Sequence, residues 1–172
     1  WGVNTSGQLG LNATIPWPSG GDSSPRQVGT DTTWSTSIGS LSTGYNSSGA
    51  IKTDGSLWMW GGWGNGILGQ NNQTSYSSPK QVGTDTDWAI ICGASASGAH
   101  AIKTDGSLWS WGQNNLGNLG HNDRTQRSSP TQVGTDTTWN KISAVGSYGV
   151  FGIKTNGTLW AWGRNNDHGE LG

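Results

Sequence analysis

The sequence predicts an all-β fold, a β-propeller of four-stranded antiparallel blades with about three blades in the chain. Three observations predict it: a stretch that occurs three times, a period near 50 residues, and the lack of any helical pattern. The stretch reads AIKTDGSLWMWG at 50–61, AIKTDGSLWSWG at 101–112 and GIKTNGTLWAWG at 152–163. Trp-Gly pairs at Trp60, Trp111 and Trp162 recur every 51 residues, and the copy that opens at Trp1 is longer, at 59. A period of this size with four short β-forming runs suits a propeller blade, whereas a helical solenoid would show a 3.6-residue periodicity.

Each element follows from its residues. Asp54-Gly55, Asp105-Gly106 and Asn156-Gly157 lie between runs of β-formers, which predicts a hairpin closed by a two-residue type I′ turn with both turn residues at positive φ. That register opposes Ile51 to Trp58 and puts Trp58 and Trp60 on one face, Leu57 and Met59 on the other. Bulk on both faces predicts a hairpin sandwiched between neighbouring sheets. A glycine-rich loop ending Leu-Gly follows each hairpin, at 7–10, 66–69, 117–120 and 169–172. A polar stretch then leads to Pro-x-Gln-Val-Gly-Thr-Asp at 25–31, 79–85 and 130–136, and on to Trp34, Trp88 or Trp139. Strands are expected around Gln81-Val82, over Trp88–Cys92, Ala99–Thr104 and Ser107–Trp111. The repeats run 1–59, 60–110 and 111–161, with the start of a fourth at 162–172. Insertions before Pro25 and between Trp34 and Lys52 account for the longer first copy.

Composition excludes several functions. The 172 residues carry a net charge of −1, with 30 Gly, 12 Trp and 11% charged residues, so burial rests on a few large aromatics. No basic run offers a footprint for nucleic acid, and no apolar stretch approaches the roughly 18 residues of a membrane span. Cys92 is the one cysteine and sits in the apolar run AIIC, which predicts a buried thiol.

The combination of LWxWGxNxxGxLG, PxQVGTDxxW and IKTDG resembles the repeats of the regulator of chromosome condensation family, over nearly the whole chain. The resemblance implies a propeller, usually of seven blades. It implies no single activity: the founding member exchanges nucleotide on a GTPase and binds chromatin, and a secreted bacterial relative inhibits β-lactamases. The motifs matched are blade-building ones, so no exchange or inhibitory residue is carried over. Trp63-Gly64 departs from the family's asparagine region, and the last loop, RNNDHGELG, is one residue longer.

Residues that recur in every copy are assigned to the scaffold. The paired tryptophans at 58/60, 109/111 and 160/162 pack between blades. Lys52, Lys103 and Lys154 lay their stems on the sheet with the ammonium in water. His100, His121 and His168 lack a second ligand at metal spacing, and the Gly-Thr-Asp aspartates bond nearby backbone. No catalytic constellation, metal site or cofactor is expected. Residues that differ between copies are assigned to recognition. They fall in two loops, 11–22 with Trp17 between two prolines, and 62–76 with Trp63 and Tyr76, matched later by Arg124, Arg127 and His168. The expected function is a non-catalytic scaffold that binds another protein through these loops, with a surface rich in Ser, Thr, Asn and Gly that suits an extracellular or virion setting. A glycan-binding module, a guanine nucleotide exchange factor and an enzyme inhibitor are the alternatives. In the scaffold alternative for Trp17, the ring folds back over its own blade. Three blades do not close a ring, which predicts completion by further blades of the same polypeptide or by further copies of the chain.

Overall fold

The structure, a computed structural model, describes residues 1–16, 20–62, 64–93, 98–145, 149–165 and 171. Every strand pairing is antiparallel, and the described residues contain no helix. β1 (Gly2–Val3) pairs with β2 (Gly21–Asp22). β3 (Leu41–Thr43), β4 (Ser47–Ile51), β5 (Leu57–Gly61) and β6 (Tyr76–Gln81) form a four-stranded sheet in chain order. β7 (Trp88–Cys92), β8 (Gly98–Lys103), β9 (Leu108–Gly112) and β10 (Arg127–Gln132) form the next. β11 (Trp139–Val145), β12 (Gly149–Lys154) and β13 (Leu159–Gly163) form the last. These are the blades of a partial propeller, about three in number, as the repeats predict.

The hairpin turns differ from the prediction by one residue. Ile51 opposes Leu57, and Ala50 opposes Trp58, because the loop holds three residues, Thr53, Asp54 and Gly55. Lys52 N–H donates to the Ser56 carbonyl at 2.9 Å and Gly55 N–H donates to the Lys52 carbonyl at 3.0 Å. Only Gly55 takes a positive φ, of 82°, as in a turn followed by a glycine bulge. Asp54 stays outside the left-handed region, where its carboxylate accepts the Ser56 N–H at 2.9 Å and hydroxyl at 2.6 Å. The Ser56 hydroxyl in turn accepts the Trp58 indole N–H at 2.9 Å. Asp105, Ser107 and Trp109 repeat this relay, as do Asn156, Thr158 and Trp160. The relay gives Asp/Asn-Gly-Ser/Thr-Leu-Trp a physical reason to recur.

Both faces of the first two hairpins are covered, as the sandwich reading requires, whereas in the third Leu159 is 66% exposed. Leu57 and Met59 are fully buried against Trp88, Ile91 and Ala101 of the following sheet. On the opposite face Trp60 donates its indole N–H to the Gln8 carbonyl of the preceding loop at 3.0 Å. Trp111 does the same to Ile67 at 2.8 Å, and Trp162 to Asn118 at 3.1 Å. The glycine of each Leu-Gly pair lets the indole approach: a Cβ on Gly69 would sit 3.0 Å from Trp111 Nε1. Trp34, Trp88 and Trp139 each lie over two tryptophans of their own blade at 5.7–6.3 Å between ring centres, and a small residue beneath them, Ala50, Ala101 or Gly152, makes room.

Candidate functional site

The meander sends the β3–β4 and β5–β6 connections and their counterparts to one end of the blades. The glycine-bulge turns and the Gly-Thr-Asp links go to the other. We call these the loop end and the turn end.

At the loop end the described parts of the Leu-Gly connections are held by hydrogen bonds. Buried Asn4 accepts the Leu9 N–H at 2.9 Å and donates to the Ala13 carbonyl at 2.9 Å. Asn114 accepts the Leu119 N–H at 2.9 Å and donates to the Asp123 carbonyl at 3.0 Å. Trp63 takes the place of this asparagine in the sequence of the loop between them. Asn12, Asn71 and Asn122 hold the left-handed conformation at φ 56–58°, which asparagine tolerates better than most residues. Asn12 and Asn71 donate their backbone N–H to the Ser77 and Ser128 carbonyls of the next blade at 2.8 and 2.7 Å.

Of the recognition residues expected from sequence, Trp17, Trp63 and His168 lie outside the described residues. The other three sit at the loop end in unlike states. Arg124 is exposed. Arg127 is tied down by Asp123, with contacts of 3.1 and 2.9 Å, and by the Thr125 carbonyl. The Arg127 guanidinium holds the Asp123 carboxyl well below the usual carboxylate range. Tyr76 packs on the core, accepts a hydrogen bond from the Asn72 amide at 3.3 Å and carries the Lys80 ammonium 5.6 Å above its ring.

At the turn end the lysines differ from expectation, because their ammonium groups are not left to water. Lys103 Nζ lies 2.6 Å from Asp85 and 3.1 Å from Asp87, and 4.8 and 4.5 Å from the ring centres of Trp88 and Trp109. Lys154 stands equally between Asp136, Trp139 and Trp160, and Lys52 between Asp31, Trp34 and Trp58. Burial works against the Lys103 charge, and the two aspartates outweigh it, so the pKa rises. Lys52 and Thr33 together depress the Asp31 carboxyl, and Lys154 with Thr138 pulls Asp136 down to about 2. The module fixes each link to its hairpin by attraction of a cation to two ring faces and to one carboxylate, or two in the case of Lys103. Sequence reasoning saw both residue types recur and did not pair them. The signal was there, since Asp85–Lys103 and Asp136–Lys154 have the same spacing.

His100 behaves as a structural residue. His100 is 1% exposed, its Nε2–H donates to the Asn118 carbonyl at 2.9 Å, and its ring meets Trp162 edge-on between the second and third blades. Burial, with a smaller push from His121, lowers its pKa to about 4 from the ordinary 6.5. The folded chain therefore keeps the ring neutral, and the unfolded chain binds more protons between those values. This share of stability is complete above about pH 6.5 and declines as pH falls toward 4, by on the order of 2–3 kcal/mol. His100→Phe, which installs the residue found at the matching position 151, should flatten the change in urea midpoint between pH 7 and 4.5. An unchanged pH dependence in this variant would assign the loss to other groups. Cys92 is half-buried, accepts the Ala144 N–H at 3.2 Å and has its thiol pKa raised by burial, so it joins the same two blades.

Comparison with known proteins agrees with this architecture. A family model described as the regulator of chromosome condensation (RCC1) repeat matches residues 105–151, and a second of the same description matches 139–170. The RCC1 domain-containing protein RUG3, mitochondrial, of Arabidopsis thaliana is 34% identical over 127 residues, covering 71% of this chain and 28% of that protein. The ultraviolet-B receptor UVR8 of the same plant is 32% identical over 126 residues, covering 72% and 28%. The chain thus spans under a third of the length of these relatives. Yeast RCC1 (Prp20), solved bound to Kap60, superposes with a TM-score of 0.75 at 21% identity, over 95% of this chain and 38% of that one. With the same repeats, the same meander blades and the same propeller geometry, the chain belongs to the regulator of chromosome condensation repeat family.

Proposed function

We propose that the chain is a non-catalytic propeller scaffold whose loop end binds another protein. The observation that supports this reading most is the contrast at that end: the blade-building residues repeat, while the connections they hold change from copy to copy. The Leu-Gly segments of three connections are held by the next blade, through a tryptophan N–H at Gln8, Ile67 and Asn118 and a strand carbonyl at Asn12 and Asn71, and order present before binding lowers its entropic cost. Yeast RCC1, with the same fold, is solved in complex with a protein. Trp17, Trp63, Tyr76, Arg124, Arg127 and His168 are the residues this reading assigns to contacts, in an extracellular or virion setting.

Arg124 gives the cleanest test because it is exposed and no ion pair within 4 Å involves it among the described residues. Arg124→Glu should leave the melting temperature within about 2 °C, since exposed substitutions of this kind cost under roughly 0.5 kcal/mol. It should reduce protein capture by the immobilised chain at least about tenfold, as loss of an arginine anchor does. Equal capture by both forms, or binding on a glycan array without any protein captured, would overturn the reading.

A further inference from the structure

The first copy carries three extra residues between Trp34 and Lys52, and the blade scaffold does not need them. β7 and β11 continue as strands from Trp88 and Trp139 through a single shift in register, whereas Trp34 makes only an isolated bridge to Lys52 and regular pairing resumes at Leu41. The intervening segment is a fixed loop. The Ser40 hydroxyl donates to the Ser35 and Ser37 carbonyls at 2.9 and 2.7 Å. The Gly39 carbonyl accepts the Ile91 N–H of the next blade at 2.9 Å, and Gly39 backs onto the Ile90 side chain. At the tip of this anchored loop Ile38 is 99% exposed. It forms one lip of a cleft of about 530 Å³ at the turn end, between the first two blades, whose other walls include Lys52, Thr53, Asp54, Thr86 and Ile90.

Charge indicates what this cleft accepts. The turn end gathers Asp31, Asp54, Asp85, Asp87, Asp105 and Asp136 against three lysines, each already paired with an aspartate of a Gly-Thr-Asp link. Asp54, on the cleft wall, has no ion-pair partner within 4 Å among the described residues, and its bonds from Ser56 keep it ionised. An apolar knob beside a carboxylate with no ion pair of its own, the neighbouring Lys52 being paired with Asp31, complements a side chain pattern of opposite charge and like polarity.

We propose that this cleft is a docking site for an extended, basic segment of a partner protein, which lays one apolar side chain between Ile38 and Ile90 and places a Lys or Arg at Asp54. The site is at the opposite end of the blades from the loops assigned above, so one scaffold engages two partners or two parts of one.

Fluorescent twelve-residue peptides test it directly: one with a central Leu flanked by Lys, one with the same Leu flanked by Glu, and one with Ser replacing Leu between the lysines. Anisotropy should show the Lys-flanked Leu peptide binding, with each of the other two at least about tenfold weaker. Ile38→Ser should weaken the first peptide about tenfold, and Asp54→Asn about threefold to tenfold with a shallower salt dependence. Asp54→Asn keeps the turn, since Asn156 makes the same bonds to Thr158 in the third copy, and Ile38 touches too little to affect folding. No binding of the Leu-Lys peptide up to about 1 mM, equal binding of the Glu-flanked peptide, or affinity unmoved in both variants would each overturn the proposal.

Discussion

Trp111→Ala is expected to lower stability by about 3–5 kcal/mol, the range for deleting a large aromatic from a packed interior. Trp111 is fully buried, lies edge-on to Trp88 at 6.2 Å, and supplies the N–H that satisfies the Ile67 carbonyl. Its loss opens a cavity and leaves that carbonyl without a partner, and both effects act in the same direction. Trp1, which is 74% exposed, serves as the control, with Trp1→Ala expected to stay within roughly 0.5 kcal/mol. Urea denaturation followed by circular dichroism measures both. Similar costs at the two positions would mean that the indoles do not hold the blades together.

The second large effect separates strain within a turn from contact between blades. Gly106 and Gly157 occupy matching turns, each with φ of 82°. A Cβ on Gly106 would lie 2.1 Å from the Thr137 backbone carbonyl oxygen of the following link, whereas a Cβ on Gly157 meets nothing within 4 Å. Gly157→Val should therefore cost about 1–2 kcal/mol, the penalty for a left-handed residue with a side chain. Gly106→Val should cost at least about twice as much, because the clash is with backbone and cannot relax by a rotamer change. Equal losses would show that the turn tips do not bear on the next blade.

Strand positions, hairpin pairing and burial of Leu57, Met59, Trp60 and Trp111 were legible because alternation and turn dipeptides act locally. The turn length was not, since Asp-Gly fits both a two-residue turn and a three-residue turn closed by a glycine bulge. The choice is made by the hydrogen bonds of Asp54 to Ser56, which a propensity does not contain. The lysine sites were misread for a related reason: a lysine stem on a sheet is ordinarily wet at its tip, and only the folded path brings Asp31, Asp85 or Asp136 to it. At the loop end the sequence named Arg124 and Arg127 together, yet Asp123 four residues before Arg127 separates an exposed cation from a neutralised one. The three extra residues ahead of Lys52 were counted as a length difference, and their role emerges only where the loop meets Ile90.

The bonds from Trp60, Trp111 and Trp162 to the loops that precede them carry a lesson for anyone who shuffles these repeats. A connection that belongs to one blade by its covalent chain is clamped by the indole of the blade after it. Exchanging a single repeat cleanly at its sheet boundaries would therefore import a new connection onto a foreign clamp and leave its own clamp on a foreign connection. A graft that preserves presentation has to carry the connection together with the tryptophan-bearing strand downstream, so the transplantable unit is staggered by half a blade from the unit the eye picks out.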